Sequence, residues 1–383
     1  MNSELQDWLT GIRHELHEVP EVSGQERGTA ASIANLLQAC TPDQVLTGIG
    51  GHGVAAVYDS GQPGPTVAIR CELDGLPIQE ISDLPYASRY PGTGHLCGHD
   101  GHMAMVLGVA FRLGQARPAT GRVVLIYQPA EETGQGAAAF RVDLQFAQIA
   151  PDYVFSLHNL PGLELGKVEL CEGPANCASR GMRIVLTGKT SHAAAPQDGV
   201  SPAGALSALI PGLTALGSGG NLDAAFALTT VTHATLGAAT FGVAPGEAEL
   251  WVTLRTVSDQ RMADLVAEAE ALVHQVAADE GLSVTISYHD VFEACVNNAE
   301  AVQILQDACL AQGVPLRFTA SPQRFSEDFG QFGKGAKSAM FWLGSGEDHP
   351  QLHNPDYDFP DALIPIGSGI FLAVIDRVLG LGG

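Results

Sequence analysis

The chain has 383 residues, 45% of them hydrophobic, and one hydrophobic core organises only about 250–300 residues, so two domains are expected. Net charge is −23, from 42 acidic against 19 basic residues. No Lys/Arg run offers a basic face for phosphate contacts, so no nucleic-acid partner is expected; the acid excess suits solubility.

Residues 4–18 place Leu5, Trp8, Leu9, Ile12 and Leu16 at helical spacing, and Pro20 ends that helix. This acidic, amphipathic start does not read as a signal peptide. No uncharged apolar run reaches the ~18 residues of a membrane span, so none is expected. A second helix is predicted over 26–40, before Pro42. His14, near the first break, reads as a solvated helix end; His17 is balanced between that and a buried role. Residues 54–58 and 66–71 read as strands. The second leads into Cys71-Glu72-Leu73-Asp74-Gly75. Open α/β sheets keep their ligand chemistry just past the carboxyl ends of buried strands. Asp74 is therefore a candidate for orienting a metal-bound imidazole, or else it caps a turn. Glu72 lies on the same face.

The densest chemistry lies in Gly94-His95-Leu96-Cys97-Gly98-His99-Asp100-Gly101-His102-Met103-Ala104-Met105. It reads as a ligand-bearing loop feeding a buried helix. Thiolate and imidazole both suit zinc-like metals, and Asp100 suits a helix N-terminus. Spacing alone does not say which of Cys97, His99 and His102 are ligands. The seven cysteines are odd in number and irregularly spaced, which fits a reducing cytoplasm better than a disulfide framework.

Residues 121–128 are a buried-strand pattern ending in Pro129-Ala130-Glu131-Glu132. Adjacent strand residues point to opposite faces. Two glutamates serving one site must therefore lie on a turn, one as metal ligand and one as general base. Residues 151–159 form another strand, ending at His158. Near residue 175 the texture changes to strand 180–187, helix 201–216, strands 225–235 and 247–256, helix 259–280 and strand 283–291. That order, βαββαβ, is the ferredoxin-like unit. It carries His192 in a polar loop and Arg255 at the end of a strand. After about residue 294 come a helix over 299–312, a polar turn at 324–329, a loop over 345–349 and a closing helix over 363–379. His349 and His353 compete as a late ligand.

The motifs RCELDGLPIQE, GHLCGHDGHMAM, YQPAEETGQGA, FSLHNLPG, TGKTSHAAAP, FSEDF and LHNPDYDF run in order across nearly the whole chain. Together they resemble the aminoacylase and hippurate-hydrolase family of di-metal amidohydrolases, in the branch with a cysteine ligand. The resemblance implies an α/β fold: a di-metal peptidase-type catalytic domain, 1–175 and 294–383, with a central mixed sheet flanked by helices. The ferredoxin-like domain, 176–293, would be an inserted lid and dimerisation module. Cys97, His99, Glu132, His158 and His353 would hold two divalent ions, zinc first, with manganese, cobalt or nickel admissible. Cys97 would bridge them, Glu131 would act as base on a water between them, and Asp74 would support the ligands. His192 would polarise the scissile carbonyl, often from the partner of a homodimer, and Arg255 would meet the substrate carboxylate.

The implied reaction is hydrolysis of N-acyl amino acids, with carboxypeptidase or dipeptidase action as the rival. An inactive metal-stabilised binding protein is a rival of another class, but it would have no use for Glu131. Three positions depart from the family's usual residues: Glu72 for Asp, Gln197 for His and Gly242 for Asn. The last removes a usual substrate contact.

Overall fold

The computed structural model describes residues 2–382. It divides into two compact units. The first comprises the chain up to Ala175, Cys295–Ala320 and the chain from Asp328 onward; the second comprises Asn176–Ala294 and Ser321–Glu327.

The first unit is built on an eight-stranded mixed sheet. Its order is Gln44–Ile49, Gly53–Asp59, Arg122–Gln128, Thr66–Glu72, Tyr153–Pro161, Lys337–Gly346, Val168–Leu170 and Leu316–Phe318. Arg122–Gln128, Thr66–Glu72, Tyr153–Pro161 and Lys337–Gly346 run parallel. Strands covered on both faces are apolar almost throughout rather than alternating, as Thr66–Glu72 is, buried at every position. Val67, Ile69 and Cys71 share one core with Leu9, Ile33, Val106, Leu305 and Ile370. These come from the helices Ser3–His17, Arg27–Ala39, His99–Gln115, Ala299–Ala311 and Leu363–Leu379. In register, Glu72 lies opposite Gln128 and Arg70 opposite Ser156. The carboxyl ends of the parallel strands therefore share one edge.

Four strands of this sheet escape a reading by pattern: Gln44–Ile49, Val168–Leu170, Leu316–Phe318 and Lys337–Gly346. Two are three-residue pieces, too short for any period. Lys337–Gly346 is central and buried over most of its length, but it mixes small and polar residues with apolar ones and does not alternate.

The second unit has a four-stranded antiparallel sheet, ordered Ala227–Leu236, Glu247–Thr256, Ala178–Thr187, Ser283–Phe292. With the helices Ala203–Ala215 and Asp259–Asp279, the chain order is βαββαβ. Alternation is visible here: Glu247–Thr256 buries every second residue, because helices cover one face only. Leu209, Leu213, Leu265 and Val273 pack on Ile184, Leu250 and Leu254. Ser321–Glu327, grouped with the larger domain on sequence alone, joins this unit through backbone contacts. The Cys177 N–H donates to the Gln323 carbonyl at 3.0 Å, and Asn176 Nδ2 donates to the Phe325 carbonyl at 3.2 Å. Among the described residues, no helix is long and apolar enough to cross a membrane.

Leu250 is fully buried at the centre of the second core. Leu250→Ala should lower stability by about 2–5 kcal/mol, read as a lower urea midpoint. A shift under about 0.5 kcal/mol would mean that this core is not packed as described.

Candidate metal centre

The carboxyl edge of the parallel strands gathers the chemistry of the first unit. Thr66–Glu72 delivers Asp74 and Arg122–Gln128 delivers Glu131 and Glu132, while Tyr153–Pro161 itself contains His158. The helix His99–Gln115 starts here, with Gly98 at its N-cap in the left-handed region, φ 90°. A Cβ at Gly98 would stand 2.4 Å from Asn159 Oδ1. Only glycine lets Cys97 and His99 flank so tight a corner. Ala130, at φ 51°, turns the chain so that Glu131 and Glu132 leave the strand together.

Three groups of ligand atoms converge: Cys97, His99 and His158; Cys97, Glu132 and His353; His99, Glu131 and Glu132. Within each group the atoms lie within 4.8 Å of one another. Cys97 Sγ is 3.4 Å from His158 Nε2. His99 Nε2 is 3.9 Å from Glu131 Oε2, and His353 Nε2 is 3.6 Å from Glu132 Oε2. A fourth group, Glu72, His99 and His102, also fits by distance. There both nitrogens of His102 are engaged within the protein, with Glu72 and with Asn159, each at 2.6 Å. Of the late histidines, His349 spends Nε2–H on the Asp358 carbonyl at 2.6 Å, whereas His353 faces Glu132.

Several observations fit a cation. His99 Nε2 and Glu132 Oε1 are buried without hydrogen-bond partners. His99 donates Nδ1–H to the Asp74 carbonyl at 2.8 Å, and His158 donates Nδ1–H to the Asn159 carbonyl at 2.8 Å. Both rings thus present Nε2 as a lone pair, the arrangement that metal-ligating imidazoles adopt. Burial, then Glu132 and Glu131, pushes the Cys97 thiol well up; a divalent ion at that point reverses the balance toward thiolate. Burial opposes charge on His99, but Asp74, Glu72 and Glu132 outweigh it and draw positive charge to the ring, a proton where no ion is bound and a cation on Nε2 where one is. The pocket attracts positive charge.

The groups that support the ligands come from distant parts of the chain. Ser23 donates to Asp74 Oδ2 at 2.7 Å, and the same oxygen accepts from the Glu132 N–H at 3.0 Å. Buried Glu26 accepts from the Ala130 N–H at 2.8 Å and so pins the glutamate turn. No local pattern marks Ser23 or Glu26. His17 is fully buried rather than solvated. It faces Asp100 at 2.8 Å and Glu80 at 3.4 Å, beside Arg13, which donates to Asp100 at 2.8 Å.

His192 and Arg255 belong to the second unit. His192 lies on a short exposed strand, Ser191–His192, paired with Val243–Ala244. Its Nδ1 accepts the Ala194 N–H at 3.0 Å, leaving Nε2 as the protonated, donating nitrogen. Gly242 accepts from the Ala193 N–H at 3.1 Å, so His192 and Gly242 share one small platform. A Cβ at Gly242 would meet nothing within 4 Å. Arg255 donates to the Arg324 carbonyl at 3.0 Å and to Ser326 Oγ at 2.9 Å. Among the described residues no carboxylate pairs with it, and burial lowers its pKa.

The comparisons with known proteins agree with this geometry. A family model described as peptidase family M20/M25/M40 matches residues 68–377. An N-acetyl-L-cysteine deacetylase of Bacillus subtilis is 31% identical over 94% of this chain and 86% of its own length. A hippurate hydrolase of Campylobacter jejuni is 31% identical over 94% of each chain. A crystal structure of a dinuclear metal-binding peptidase of the M20 family from Bacillus subtilis superimposes with a TM-score of 0.83. It is 26% identical and covers 99% of both chains.

His17 gives a testable pH dependence. Burial opposes its charge, but Asp100 and Glu80 outweigh it and raise it from 6.5 to about 9. A raised folded value stabilises fully below about pH 6.5, and the contribution is lost as pH rises through about 9. The urea midpoint should therefore fall between those values, and His17→Gln should flatten the fall. An equal fall in both proteins would remove His17 from that role.

Proposed function

The chain belongs to peptidase family M20/M25/M40, a metal-dependent amidohydrolase on a two-metal fold, and from that premise we propose that it hydrolyses N-acyl amino acids to a carboxylate and a free amino acid. The observation that carries this is the convergence of two ligand groups on one thiol, with a further buried carboxylate, Glu131, beside them. The deacetylase and hippurate-hydrolase relatives support the substrate class.

One ion is assigned to Cys97, His99 and His158, and the other to Cys97, Glu132 and His353. Thiolate, imidazole and carboxylate together favour zinc and admit manganese, cobalt or nickel. When bound, two such ions polarise a carbonyl and make water acidic enough to be used at neutral pH. Glu131 takes the proton of the attacking water and delivers it to the leaving amine. Asp74 holds His99 through its carbonyl and the Glu132 backbone through its carboxylate. His192 presents Nε2–H to the oxyanion. Arg255, without a carboxylate of its own, binds that of the substrate.

The second unit is assigned as lid and dimerisation module, with His192 acting on the partner's substrate. All seven cysteines are buried and form no disulfide, which suits the reducing cytoplasm.

A panel of N-acetyl, N-benzoyl and dipeptide substrates, assayed with metal content on one preparation, tests the reading. Turnover should vanish with chelator and favour the acylated amino acids; dipeptides as the best substrates would overturn the assignment. Glu131→Gln should keep its metal and lose about 10²–10⁴-fold in kcat. If activity is unchanged, Glu131 is not the base. His353→Ala should lower metal content, and full occupancy would point to another ligand. Mixing Glu131→Gln with His192→Ala subunits should restore activity. No restoration under verified subunit exchange would place His192 in cis.

A further inference from the structure

Behind the ligands lies a run of buried polar groups to which the proposed reaction gives no part. Asp328 and Gln128 hold Arg70, at 2.8 Å and 2.9 Å. Arg70 also donates to Glu72, and Glu72 accepts from His102 Nδ1 at 2.6 Å. The far nitrogen of His102 meets Asn159 Oδ1 at 2.6 Å. Asn159 Nδ2 then donates to the Tyr357 hydroxyl at 2.6 Å. Arg70, Glu72, Gln128, His102, Asn159, Asp328 and Tyr357 are each no more than 1% exposed.

This run ends on a residue with two structural duties. The Asn159 carbonyl accepts Nδ1–H of His158 and thereby sets which nitrogen of that ring faces Cys97. The Asn159 amide also lies under Gly98, where a Cβ would meet Oδ1 at 2.4 Å, so the Cys97–Gly98–His99 corner rests on it. One residue thus touches three ligands of the same group, His158 through its backbone carbonyl and the Cys97–Gly98–His99 corner through its side chain. None of the contacts above involves Glu132 or His353.

We propose that Asn159, held in place by His102 and Glu72, is a positioning residue for one of the two ions, the one assigned to Cys97, His99 and His158. Glu72, which stands where the family usually has Asp, fills its part by reaching both Arg70 and His102. His102, a ligand candidate by spacing, acts instead through Asn159. The proposal rests on the ligand assignment above.

The test is metal binding, independent of turnover. Chelator-stripped full-length protein is titrated with Co(II) against a competing chromophoric chelator, with the thiolate-to-cobalt absorption followed. Wild type should bind two ions. Asn159→Ala and His102→Gln should each weaken one ion by about 10–100-fold and leave the other within about twofold. The double variant should be no weaker than Asn159→Ala alone, because both changes act through one group. Tyr357→Phe keeps the ring in the core and should give the same pattern at smaller amplitude, which covers the case in which the larger changes prevent folding. Equal weakening of both ions, additive effects, or unchanged affinities would overturn the proposal while leaving the ligand assignment standing. Fewer than two ions in wild type would overturn the assignment and the proposal with it.

Discussion

A buried thiol set beside nearly buried carboxylates is the constraint on which the first unit depends. Glu131 and Glu132 place negative charge beside the Cys97 thiol where water is largely excluded. Buried charge persists only when paired. The described cations near the edge are committed elsewhere: Arg13 bonds Asp100 and Arg70 bonds Glu72 and Asp328. Divalent ions would balance the cluster, and the unpartnered His99 Nε2 and Glu132 Oε1 are aimed accordingly.

Holding that cluster together takes two ion-pair systems, one on each side of the ligand helix. Arg13 and His17 secure Asp100, the residue after His99. Arg70 secures Glu72, which holds His102, one turn further along. The helix is buried nearly all round over its first turns, so hydrophobic packing alone leaves its rotation about the axis weakly determined. The ion pair at Asp100 and the hydrogen bond from His102 to Glu72 remove that freedom. Breaking a buried pair by deleting one partner costs about 3–5 kcal/mol, so this rotation is firmly set, and with it the direction of His99.

The sequence carries the ligands more clearly than the scaffold that aims them. Glu131, Glu132 and His158 are legible because a polar residue at the end of an apolar strand is conspicuous, and its recurrence at several strand ends places them at one level. The βαββαβ unit is legible because its sheet has one open face and therefore alternates. The central strand Lys337–Gly346 is not, because a strand buried on both faces loses the period that identifies it. Ser23, Glu26 and Asn159 act across 51, 104 and 57 residues of chain, and no local pattern encodes such a contact. Histidines are the intermediate case. Spacing offers His17, His102, His349 and His353 on similar terms, and only the partner of each nitrogen separates a structural imidazole from one with a lone pair to give.

The departures from the family's usual residues divide between the units in a telling way. In the first unit Glu72 replaces an aspartate, which keeps the charge and lengthens the reach to Arg70 and His102. In the second, Gln197 replaces His, which exchanges a titratable ring for a neutral amide, and Gly242 replaces Asn, which removes the side chain altogether. Gly242 is hydrogen-bonded to the residue after His192, and its missing side chain leaves open space on the same platform. Phe241, beside it, is fully exposed. A polar side chain has thus given way to room and an apolar neighbour, while His192 keeps its tautomer through Ala194. The space at Gly242 and the exposed ring of Phe241 belong to the second unit, whereas Cys97, His99 and Glu131 belong to the first, so a change in the one leaves the scaffold of the other intact.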